Sequence, residues 1–358
     1  MKKLLIVTGG SGGHVIPSIS LFEHLKNTFS VKIVTDLRGS KFIDNTKYNY
    51  ELLDVPNLFL KPYFFPINIF KYFYKIIESL SFLKKNKINI VISTGGYMTF
   101  PFCLAAFFLK KKIILLEPNS VLGKSNKIAL SFSNKIICYS KDLRNFPKKH
   151  TSKKAIIDPI LKKQIYKIKK NSPNYKTKIS KVLVIGGSQG ASFFDEKVTE
   201  LIIKISKKHK FDIVQQISNK NSIPMIKKKY NEEGINFNFF QYNYDDIEIY
   251  DGVNFAITRG GAGTLSELSF LNIPFLAIPL PKAKDNHQYY NSDFYHVKNC
   301  CWMINQSDFE INKVSNFIFN IFNDYENFCK KIHNLEKTNK KNNWNTINKR
   351  IIEIINEN

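Results

Sequence analysis

LLIVTGGSGGH, residues 4–14, decides the fold, because a short apolar strand runs directly into a glycine-rich turn and then into a segment that can form a helix. The pattern returns as VLVIGGSQG at residues 182–190. A strand, a turn and a helix in this order gather backbone N–H groups and the positive end of the helix dipole around one point, which suits a phosphate. Two copies predict two Rossmann-like domains that face each other across a cleft.

Short apolar runs alternate with helix-length segments in both halves, which is typical of an α/β fold with parallel sheets covered on both faces. The predicted strands are residues 4–7, 31–34, 88–92, 113–116, 135–138, 182–185, 211–214, 255–257 and 274–278. The length of 358 residues favours two domains, and a Lys-, Asn- and Ser-rich stretch at 162–181 indicates the linker. We predict domains of residues 1–161 and 162–336, followed by an amphipathic C-terminal helix from about residue 336.

The formal net charge of +25 is typical of a nucleic-acid-binding protein, which is one alternative function. Only four of the basic residues are arginines, however, whereas base recognition and stacking favour the planar guanidinium group. Such a protein would also place aromatic residues beside arginines on a strand surface, and the sequence offers neither feature. We expect no nucleic-acid partner and interpret the lysines as a solvated surface, with attraction to an anionic membrane as the functional alternative.

The five cysteines show no Cys-x-x-Cys spacing, which predicts a reduced, cytoplasmic protein without structural zinc. The first strand begins at the N-terminus without a signal peptide, and no apolar run approaches the ~20 residues that a spanning helix needs. We therefore expect a soluble or peripheral protein.

The motifs of the glycine turns argue against an NAD-binding protein and against an ATP hydrolase. The first turn lacks the third glycine of the dinucleotide fingerprint, and Pro118 stands where a Walker A loop ending at residues 123–125 would need its first glycine. The chain also lacks an Asp-x-Asp that would hold a metal on a diphosphate. We expect no cofactor and no metal, with helix ends and hydroxyl groups stabilising the diphosphate.

Six motifs together carry a family resemblance. They are GGSGGHVIP at 9–17, GGY at 95–97, EPN at 117–119, GGSQGA at 186–191, RGGAGTLSE at 259–267 and HQYYN at 287–291. Their order and approximate spacing resemble the MurG family, the bacterial UDP-N-acetylglucosamine transferases, over nearly the whole chain. The resemblance implies a GT-B fold with acceptor and membrane contacts in the N-terminal domain, UDP-sugar in the C-terminal domain, and a C-terminal helix, residues 337–358, that returns to the N-terminal domain.

The implied reaction moves N-acetylglucosamine from UDP-N-acetylglucosamine, with inversion, to the 4-hydroxyl of the muramyl sugar of an undecaprenyl-linked muramyl-pentapeptide. This step converts lipid I to lipid II in peptidoglycan synthesis, at the cytoplasmic face of the bacterial inner membrane. The nearest alternative enzyme is a related GT-B glycosyltransferase that acts on another lipid, such as diacylglycerol.

His14 is the candidate catalytic base, because it enters a helix at the end of a phosphate-type turn; the alternative is a capping or orienting hydrogen bond. The resemblance implies further acceptor-side residues: Ser11, Gly12, Gly13, Tyr97 and Glu117. For Glu117 we favour a buried structural hydrogen bond over catalysis.

The resemblance also implies the donor-binding residues, which are Asn119, Ser188, Gln189, Gly190, Tyr242, Ala262, Gly263, Thr264, Glu267, Gln288 and Asn291. Glu267 would accept hydrogen bonds from both ribose hydroxyls; the alternative is a capping box with Thr264 at a helix start. Tyr242 would stack on the uracil, and Gln288 and Asn291 would recognise sugar hydroxyls. Two family arginines are replaced by Leu161, beside which Lys162 is a possible substitute, and by Ser192.

Residues 58–87 interleave aromatic side chains with lysines. The aromatic residues are Phe59, Tyr63, Phe64, Phe65, Phe70, Tyr72, Phe73, Tyr74 and Phe82. An apolar surface rimmed by lysines suits a helix in the headgroup region of an anionic leaflet, and the alternative is a core helix with a lysine face. We predict contact with an anionic membrane surface.

Overall fold

The computed structural model of the chain describes residues 1–55, 65–172, 179–187, 192–241 and 247–357. The chain divides into two compact units, which we call the N-terminal and the C-terminal unit. The N-terminal unit comprises Met1–Lys163 and Asn342–Asn358, and the C-terminal unit comprises Gln164–Lys341. The domain boundaries predicted from the sequence lie after residues 161 and 336, whereas the two units divide after residues 163 and 341.

The N-terminal unit is built on seven parallel strands. They are β1 (Lys3–Val7), β2 (Ser30–Thr35), β3 (Tyr50–Leu52), β4 (Ile90–Ser93), β5 (Lys112–Glu117), β6 (Lys135–Cys138) and β7 (Lys154–Ile156). Their order across the sheet is β3-β2-β1-β4-β5-β6-β7. The central strands are nearly continuous Val, Ile and Leu because helices cover both faces of the sheet.

The C-terminal unit repeats this architecture with six parallel strands. They are β8 (Lys181–Ile185), β9 (Asp212–Gln216), β10 (Phe237–Phe240), β11 (Phe255–Thr258), β12 (Phe275–Ala277) and β13 (Trp302–Met303), in the order β10-β9-β8-β11-β12-β13. In both units the strand order reverses beside the first strand, between β1 and β4 and between β8 and β11. Ligands of open α/β sheets bind at the carboxyl ends of strands around such a switch point, which is where each glycine turn lies.

Eleven α-helices lie in the described part of the chain. They are α1 (Gly12–Leu25), α2 (Phe65–Lys85), α3 (Thr99–Phe108), α4 (Lys124–Ala129), α5 (Thr199–Ser206), α6 (Ile223–Glu232), α7 (Ala262–Phe270), α8 (His287–His296), α9 (Ile311–Asn323), α10 (Tyr325–Thr338) and α11 (Trp344–Asn356). None of the helices in these described ranges combines the length and the apolar character needed to span a bilayer.

The C-terminal helix begins later than residue 336, so the start predicted for this helix is wrong. Residues 336–338 end α10, and α11 starts at Trp344 because the Asn343 side chain caps it by accepting the Thr346 N–H at 2.9 Å. The helix belongs to the N-terminal unit. It is fastened there by the His24 ring of α1, which stacks on Trp344 with ring centroids 3.8 Å apart.

All nine predicted strands are present, and the predicted fold class of two parallel-sheet Rossmann-like units is confirmed. The described chain holds four further strands, β3, β7, β10 and β13, which lie at the edges of the two sheets. Each sheet has its own hydrophobic core, with Leu5, Val7 and Phe102 in the first and Val184, Phe255 and Ile257 in the second.

Candidate functional site

The first glycine turn is held in place by a buried carboxylate on the neighbouring strand. Asp36 follows β2, is 0% exposed, and through Oδ1 accepts the N–H groups of Gly10 at 2.9 Å and Gly39 at 2.7 Å. Its Oδ2 accepts the Tyr97 hydroxyl at 2.8 Å. Sequence analysis missed Asp36, although an acidic residue after the second strand of a Rossmann unit is a usable signal.

His14 lies in the first turn of α1, with its ring oriented by β4. Nδ1 is 2.8 Å from the carbonyl oxygen of Thr94. A carbonyl only accepts, so Nδ1 carries the hydrogen, and in the neutral ring Nε2 is then the nitrogen that can take a proton. The orienting hydrogen bond and the proposed base role therefore use different nitrogens of one ring. The helix has Ser11 as its N-cap, so His14 is not the cap.

Two glycines allow β4 to approach this turn. Gly95 and Gly96 have φ of +90° and +92°, a backbone conformation that favours glycine. A Cβ on Gly95 would stand 3.0 Å from the His14 ring, and one on Gly96 would stand 2.9 Å from the Gly9 carbonyl oxygen. The two glycines of the GGY motif thus allow the ring of His14 to sit against the end of β4.

Tyr97 joins two charged groups beside the first turn. Its hydroxyl donates to Asp36, and the Arg38 guanidinium lies 5.1 Å from its ring centroid. Burial, followed by the hydrogen bond to Asp36, raises the pKa of the Tyr97 hydroxyl. Among the other predicted acceptor-side residues, Ser11 precedes α1 without a side-chain cap and Gly12 and Gly13 open the helix. The structure therefore brings this predicted group together around the turn.

Glu117, at the end of β5, is 2% exposed and fully engaged by its own loop. One oxygen accepts the backbone N–H and side-chain amide of Asn119 at 3.2 and 2.9 Å. The other accepts the N–H of Gly123 at 2.9 Å and the amide of Asn126 at 3.0 Å. Four hydrogen bonds favour the structural alternative, in which Glu117 shapes the loop that presents Asn119.

The second glycine turn is anchored by Gln216, the last residue of β9. The amide oxygen of Gln216 accepts the Gly186 N–H at 2.9 Å, and its amide nitrogen donates to the Gly187 carbonyl at 2.8 Å. Sequence analysis missed Gln216 as well. The predicted residues Ser188, Gln189, Gly190 and Tyr242 lie outside the described residues.

The first turn of α7 excludes the capping box. The helix begins at Ala262 with Gly261 as its N-cap, in an extended conformation and without a side-chain cap. Thr264 is therefore already inside the helix, and its pairing with Glu267 as an N-cap box is wrong. The backbone N–H groups of Ala262, Gly263 and Thr264 form the uncapped first turn, which is suited to a phosphate or a sugar hydroxyl.

Glu267 lies further along α7 and is 8% exposed. The Tyr250 hydroxyl donates to its Oε2 at 2.6 Å. A short, charge-assisted bond of this kind fixes the orientation of the carboxylate. Glu267 is thus a preoriented hydrogen-bond acceptor on α7, the helix that follows β11.

Gln288 and Asn291 hold α8 against the end of β11. The Gln288 side-chain oxygen accepts the N–H groups of Gly260 at 3.2 Å and Leu280 at 3.0 Å, and the Asn291 amide donates to the Gly260 carbonyl at 3.0 Å. A Cβ on Gly260 would stand 2.1 Å from the Gln288 carbonyl oxygen, so the glycine is needed for this contact. The Gln288 oxygen and the Asn291 amide are thus both held by backbone groups of the protein.

Arg259 provides a buried cation at the same switch point. It is 4% exposed, donates to the Ile278 carbonyl at 3.0 Å, and lies 5.2 and 4.9 Å from the ring centroids of Phe193 and Phe194. Burial lowers the pKa of Arg259 to about 10, which still leaves it charged at neutral pH. Its Nε has no hydrogen-bond partner among the residues that the structure describes. The carboxyl end of β11 therefore carries positive charge.

The two positions that depart from the family differ in burial. Leu161 is 3% exposed and its carbonyl oxygen lies 3.2 Å from Nε2 of His24, while Lys162 is 4% exposed. Ser192, by contrast, is exposed.

Helix α2 carries two apolar stripes. One faces the core through Ile76 and Leu83, and the predicted Tyr72 and Phe82 pack against that core, as the core-helix alternative requires. The other stripe points outward, with exposures of 78% for Phe70, 65% for Phe73, 65% for Tyr74 and 58% for Ile77. Of the remaining predicted aromatics, Phe59, Tyr63 and Phe64 lie outside the described residues, and only the backbone of Phe65 is described.

Comparison with known proteins gives a family match in each of the two units. Residues 4–138 match the N-terminal domain of glycosyltransferase family 28, and residues 181–350 match the C-terminal domain of the same family. The matches together cover most of both units.

Two relatives carry the name UDP-N-acetylglucosamine–N-acetylmuramyl-(pentapeptide) pyrophosphoryl-undecaprenol N-acetylglucosamine transferase. The Pelagibacter ubique protein is 42% identical over 359 residues, covering 100% of this chain and 99% of that protein. The Rickettsia felis protein is 33% identical over 340 residues, covering 90% of this chain and 92% of that protein.

Among solved structures, Acinetobacter baumannii MurG superposes with a TM-score of 0.76 at 20% identity, covering 99% of both chains. A UDP-GlcNAc 2-epimerase from Neisseria meningitidis gives a TM-score of 0.67 at 16% identity, covering 99% of this chain and 100% of the other. At these identities the structural matches support the fold.

Proposed function

The chain belongs to glycosyltransferase family 28, and on this premise we propose that it transfers N-acetylglucosamine from UDP-N-acetylglucosamine to undecaprenyl-pyrophosphoryl-MurNAc-pentapeptide. The new bond joins the sugar to the 4-hydroxyl of the muramyl residue and converts lipid I to lipid II. Support comes from the full-length relatives that are named for this reaction.

The observation that carries the proposal is the orientation of His14. Its Nδ1 donates to the Thr94 carbonyl at 2.8 Å, so Nε2 of the neutral ring is the basic nitrogen. Gly95 and Gly96 hold the ring against β4, which fixes its direction before substrate arrives. A preoriented imidazole beside a glycine turn is the group that an attacking sugar hydroxyl needs.

The C-terminal unit supplies the donor contacts. Glu267 would receive the two ribose hydroxyls, with its carboxylate oriented by Tyr250. The uncapped first turn of α7 and the buried Arg259 offer N–H donors and positive charge to the diphosphate. These groups act without a metal ion, so we expect transfer to need none.

The reaction is a single displacement. The 4-oxygen of the acceptor forms a bond to C1 of N-acetylglucosamine while the bond from C1 to the diphosphate oxygen breaks, and UDP leaves with the electron pair. Nε2 of His14 takes the proton of the attacking hydroxyl. One base and one leaving group on opposite sides of C1 give inversion, with no covalent sugar intermediate.

The acceptor is lipid-linked, and the outward stripe of α2 is the surface that would meet its membrane. Phe70, Phe73, Tyr74 and Ile77 follow the i, i+3, i+4, i+7 spacing of one helix face and are all more than half exposed. Lys71, Lys84 and Lys85 are also exposed on this helix. Apolar side chains rimmed by lysines bind the headgroup region of an anionic leaflet.

Ring contacts connect Tyr72, on the core-facing side of α2, to a second exposed pair of aromatic residues. Tyr72 lies 6.0 Å from Phe100, Phe100 lies 5.9 Å from Phe132, and Phe132 lies 5.7 Å from Phe107, measured between ring centroids. Phe107 and Phe108, at the end of α3, are 51% and 62% exposed. We propose a peripheral location at the cytoplasmic face of the inner membrane, with α2 and the end of α3 in contact with anionic lipid.

The membrane surface is tested by replacing Phe70 and Phe73 with serine. Both rings are exposed, so the double variant should fold normally. Compared with the parent, it should bind anionic vesicles more weakly and transfer more slowly to a long-chain acceptor. Its rate of transfer to a water-soluble acceptor should be unchanged. Val297→Ser, at a 73% exposed apolar residue of the C-terminal unit, is the matched control and should change neither property. Unchanged vesicle binding in the double variant would mean that the membrane contact lies elsewhere on the protein.

The reaction itself is tested with purified protein, labelled UDP-N-acetylglucosamine and a short-chain analogue of the muramyl lipid. Formation of a labelled disaccharide-lipid supports the proposal. A parallel incubation with diacylglycerol distinguishes the alternative acceptor, since label in that lipid and none in the muramyl lipid would overturn it.

A further inference from the structure

Gln216 hydrogen-bonds two backbone groups at the start of the second glycine turn, at Gly186 and Gly187. Its amide oxygen accepts the Gly186 N–H at 2.9 Å, and its amide nitrogen donates to the Gly187 carbonyl at 2.8 Å. The side chain is 3% exposed, so these bonds are shielded from water. Gly187 has φ of +84°, a conformation that costs other residues energy, and the amide of Gln216 holds the chain in it.

In the N-terminal unit a related role falls to Asp36, which lies one residue beyond the position that corresponds to Gln216 in the strand register. Asp36 lies just past the end of β2, as Gln216 lies at the end of β9, and Asp36 accepts the Gly10 N–H at 2.9 Å. In dinucleotide-binding Rossmann domains an acidic residue in this region hydrogen-bonds the ribose. In the C-terminal unit the Gln216 side chain bonds to the turn instead, and the proposed ribose acceptor is Glu267.

The side-chain amide of Gln216 carries no charge, which favours an anionic ligand at the turn. A carbonyl oxygen at a phosphate-binding turn repels the phosphate, and the Gly187 carbonyl is instead engaged by an N–H donor. A carboxylate at residue 216 could not donate to that carbonyl and would add negative charge beside the turn.

We propose that Gln216 is a positioning residue for the donor diphosphate, acting through the backbone of Gly186 and Gly187. The inference rests on the proposed function, because it takes the diphosphate of UDP-N-acetylglucosamine as the ligand of the second turn. Gln216 itself does not touch the substrate. Its replacement loosens the turn, so contacts to the diphosphate weaken while contacts to the uridine remain.

The test compares UDP with uridine on the full chain. Gln216→Met keeps the length of the side chain and removes both hydrogen bonds, so we expect the Kd for UDP to rise about tenfold, as for the loss of a hydrogen bond or two. The Kd for uridine should stay within about twofold, since its contacts are elsewhere. UDP is measured by titration calorimetry and uridine by ligand-observed NMR.

Gln215 provides the matched control. It is the neighbouring residue on β9, is 0% exposed, and bonds to Thr199 and Tyr230 rather than to the turn. Gln215→Met should lower the thermal stability of the chain without changing the ratio of the two dissociation constants. Gln216→Glu is the second variant, which retains the acceptor for the Gly186 N–H and loses the donor for the Gly187 carbonyl. It should weaken UDP binding at least as much as Gln216→Met does.

The outcomes separate this inference from the proposed function. If the parent protein does not bind UDP, the proposed function fails. If the parent binds UDP and both Gln216 variants bind it equally well, or lose UDP and uridine affinity to the same degree, the positioning role is overturned. A selective loss of UDP affinity in either folded Gln216 variant supports it.

Discussion

The two glycine turns share a scaffold and differ in the charge that surrounds them. Each follows the first strand of a Rossmann unit and is anchored from the end of the second strand, by Asp36 in one unit and by Gln216 in the other. The first turn thus has a buried carboxylate beside it, with Arg38 and Tyr97 as its partners. The second has a neutral amide and, nearby on its sheet, the buried cation Arg259.

Under the proposed function, this difference assigns the two substrates to different units. A diphosphate that carries negative charge is favoured where the anchor is neutral and a cation is buried, which is the C-terminal unit. The N-terminal unit instead combines its turn with the oriented ring of His14, which suits a hydroxyl group that must lose a proton. The contrast predicts that substitutions in the two units will affect different kinetic constants.

The largest effect should come from His14→Ala. Loss of a general base typically costs 10²- to 10⁴-fold, so turnover should fall by about that factor while UDP affinity stays nearly unchanged. Steady-state kinetics and UDP titration on the same preparation measure both quantities. A large loss of UDP affinity would contradict the separate roles of the two units, because it would place His14 in the donor site.

Glu267→Ala should give the opposite pattern. Removal of a charged acceptor for the ribose hydroxyls should weaken UDP binding by about 1.5–3 kcal/mol, the range for hydrogen bonds to a charged group. Glu267→Gln should recover part of this, since its amide oxygen still accepts. Tyr250→Phe tests the orienting bond and should weaken UDP less. If Glu267→Ala binds UDP as the parent does, the carboxylate has only a structural role.

Asp36→Asn sharpens the comparison by neutralising the first anchor. The amide oxygen still accepts the N–H groups of Gly10 and Gly39, so the turn should persist, while the charged bond to Tyr97 is lost. We expect the KM for the lipid acceptor to rise by about threefold to tenfold, equivalent to roughly 1 kcal/mol, with the Kd for UDP unchanged. An effect on UDP alone would show that the two anchors do not serve separate substrates.

The sequence predicted the central strands well because each is a continuous apolar run, as in residues 4–7 and 182–185. It missed β3 and β7, where polar residues such as Glu51 and Lys154 interrupt short edge strands that are only partly buried. The capping-box alternative for Thr264 failed because the N-cap of α7 is Gly261, three residues before Thr264. Helix starts are poorly defined when glycines supply the N-cap.

The sequence predicted the site residues that belong to a motif. It did not predict the residues whose side chains bind the backbone of a segment distant in the sequence. His14 and Tyr97 stand within glycine motifs, and the structure places both at the first turn. Asp36 and Gln216 act through parallel strand pairing, which brings residues 26 and 30 positions apart into contact. A sequence pattern shows neither the register nor the direction of those side chains.

The smallest expected effect is that of chelation. Because backbone N–H groups of α7 and the Arg259 charge are proposed to stabilise the leaving diphosphate, excess EDTA should leave the transfer rate unchanged. A rate that collapses with chelator and returns with magnesium would show that the second turn needs a metal ion to hold its ligand.

The most direct test of the account is the configuration of the new glycosidic bond, read by NMR from the disaccharide product. A single displacement, with the leaving group held by the C-terminal unit and one base at His14, predicts a β-linkage formed with inversion from the α-linked donor. An α-linkage would mean retention, and would contradict both the single displacement and the role assigned to His14.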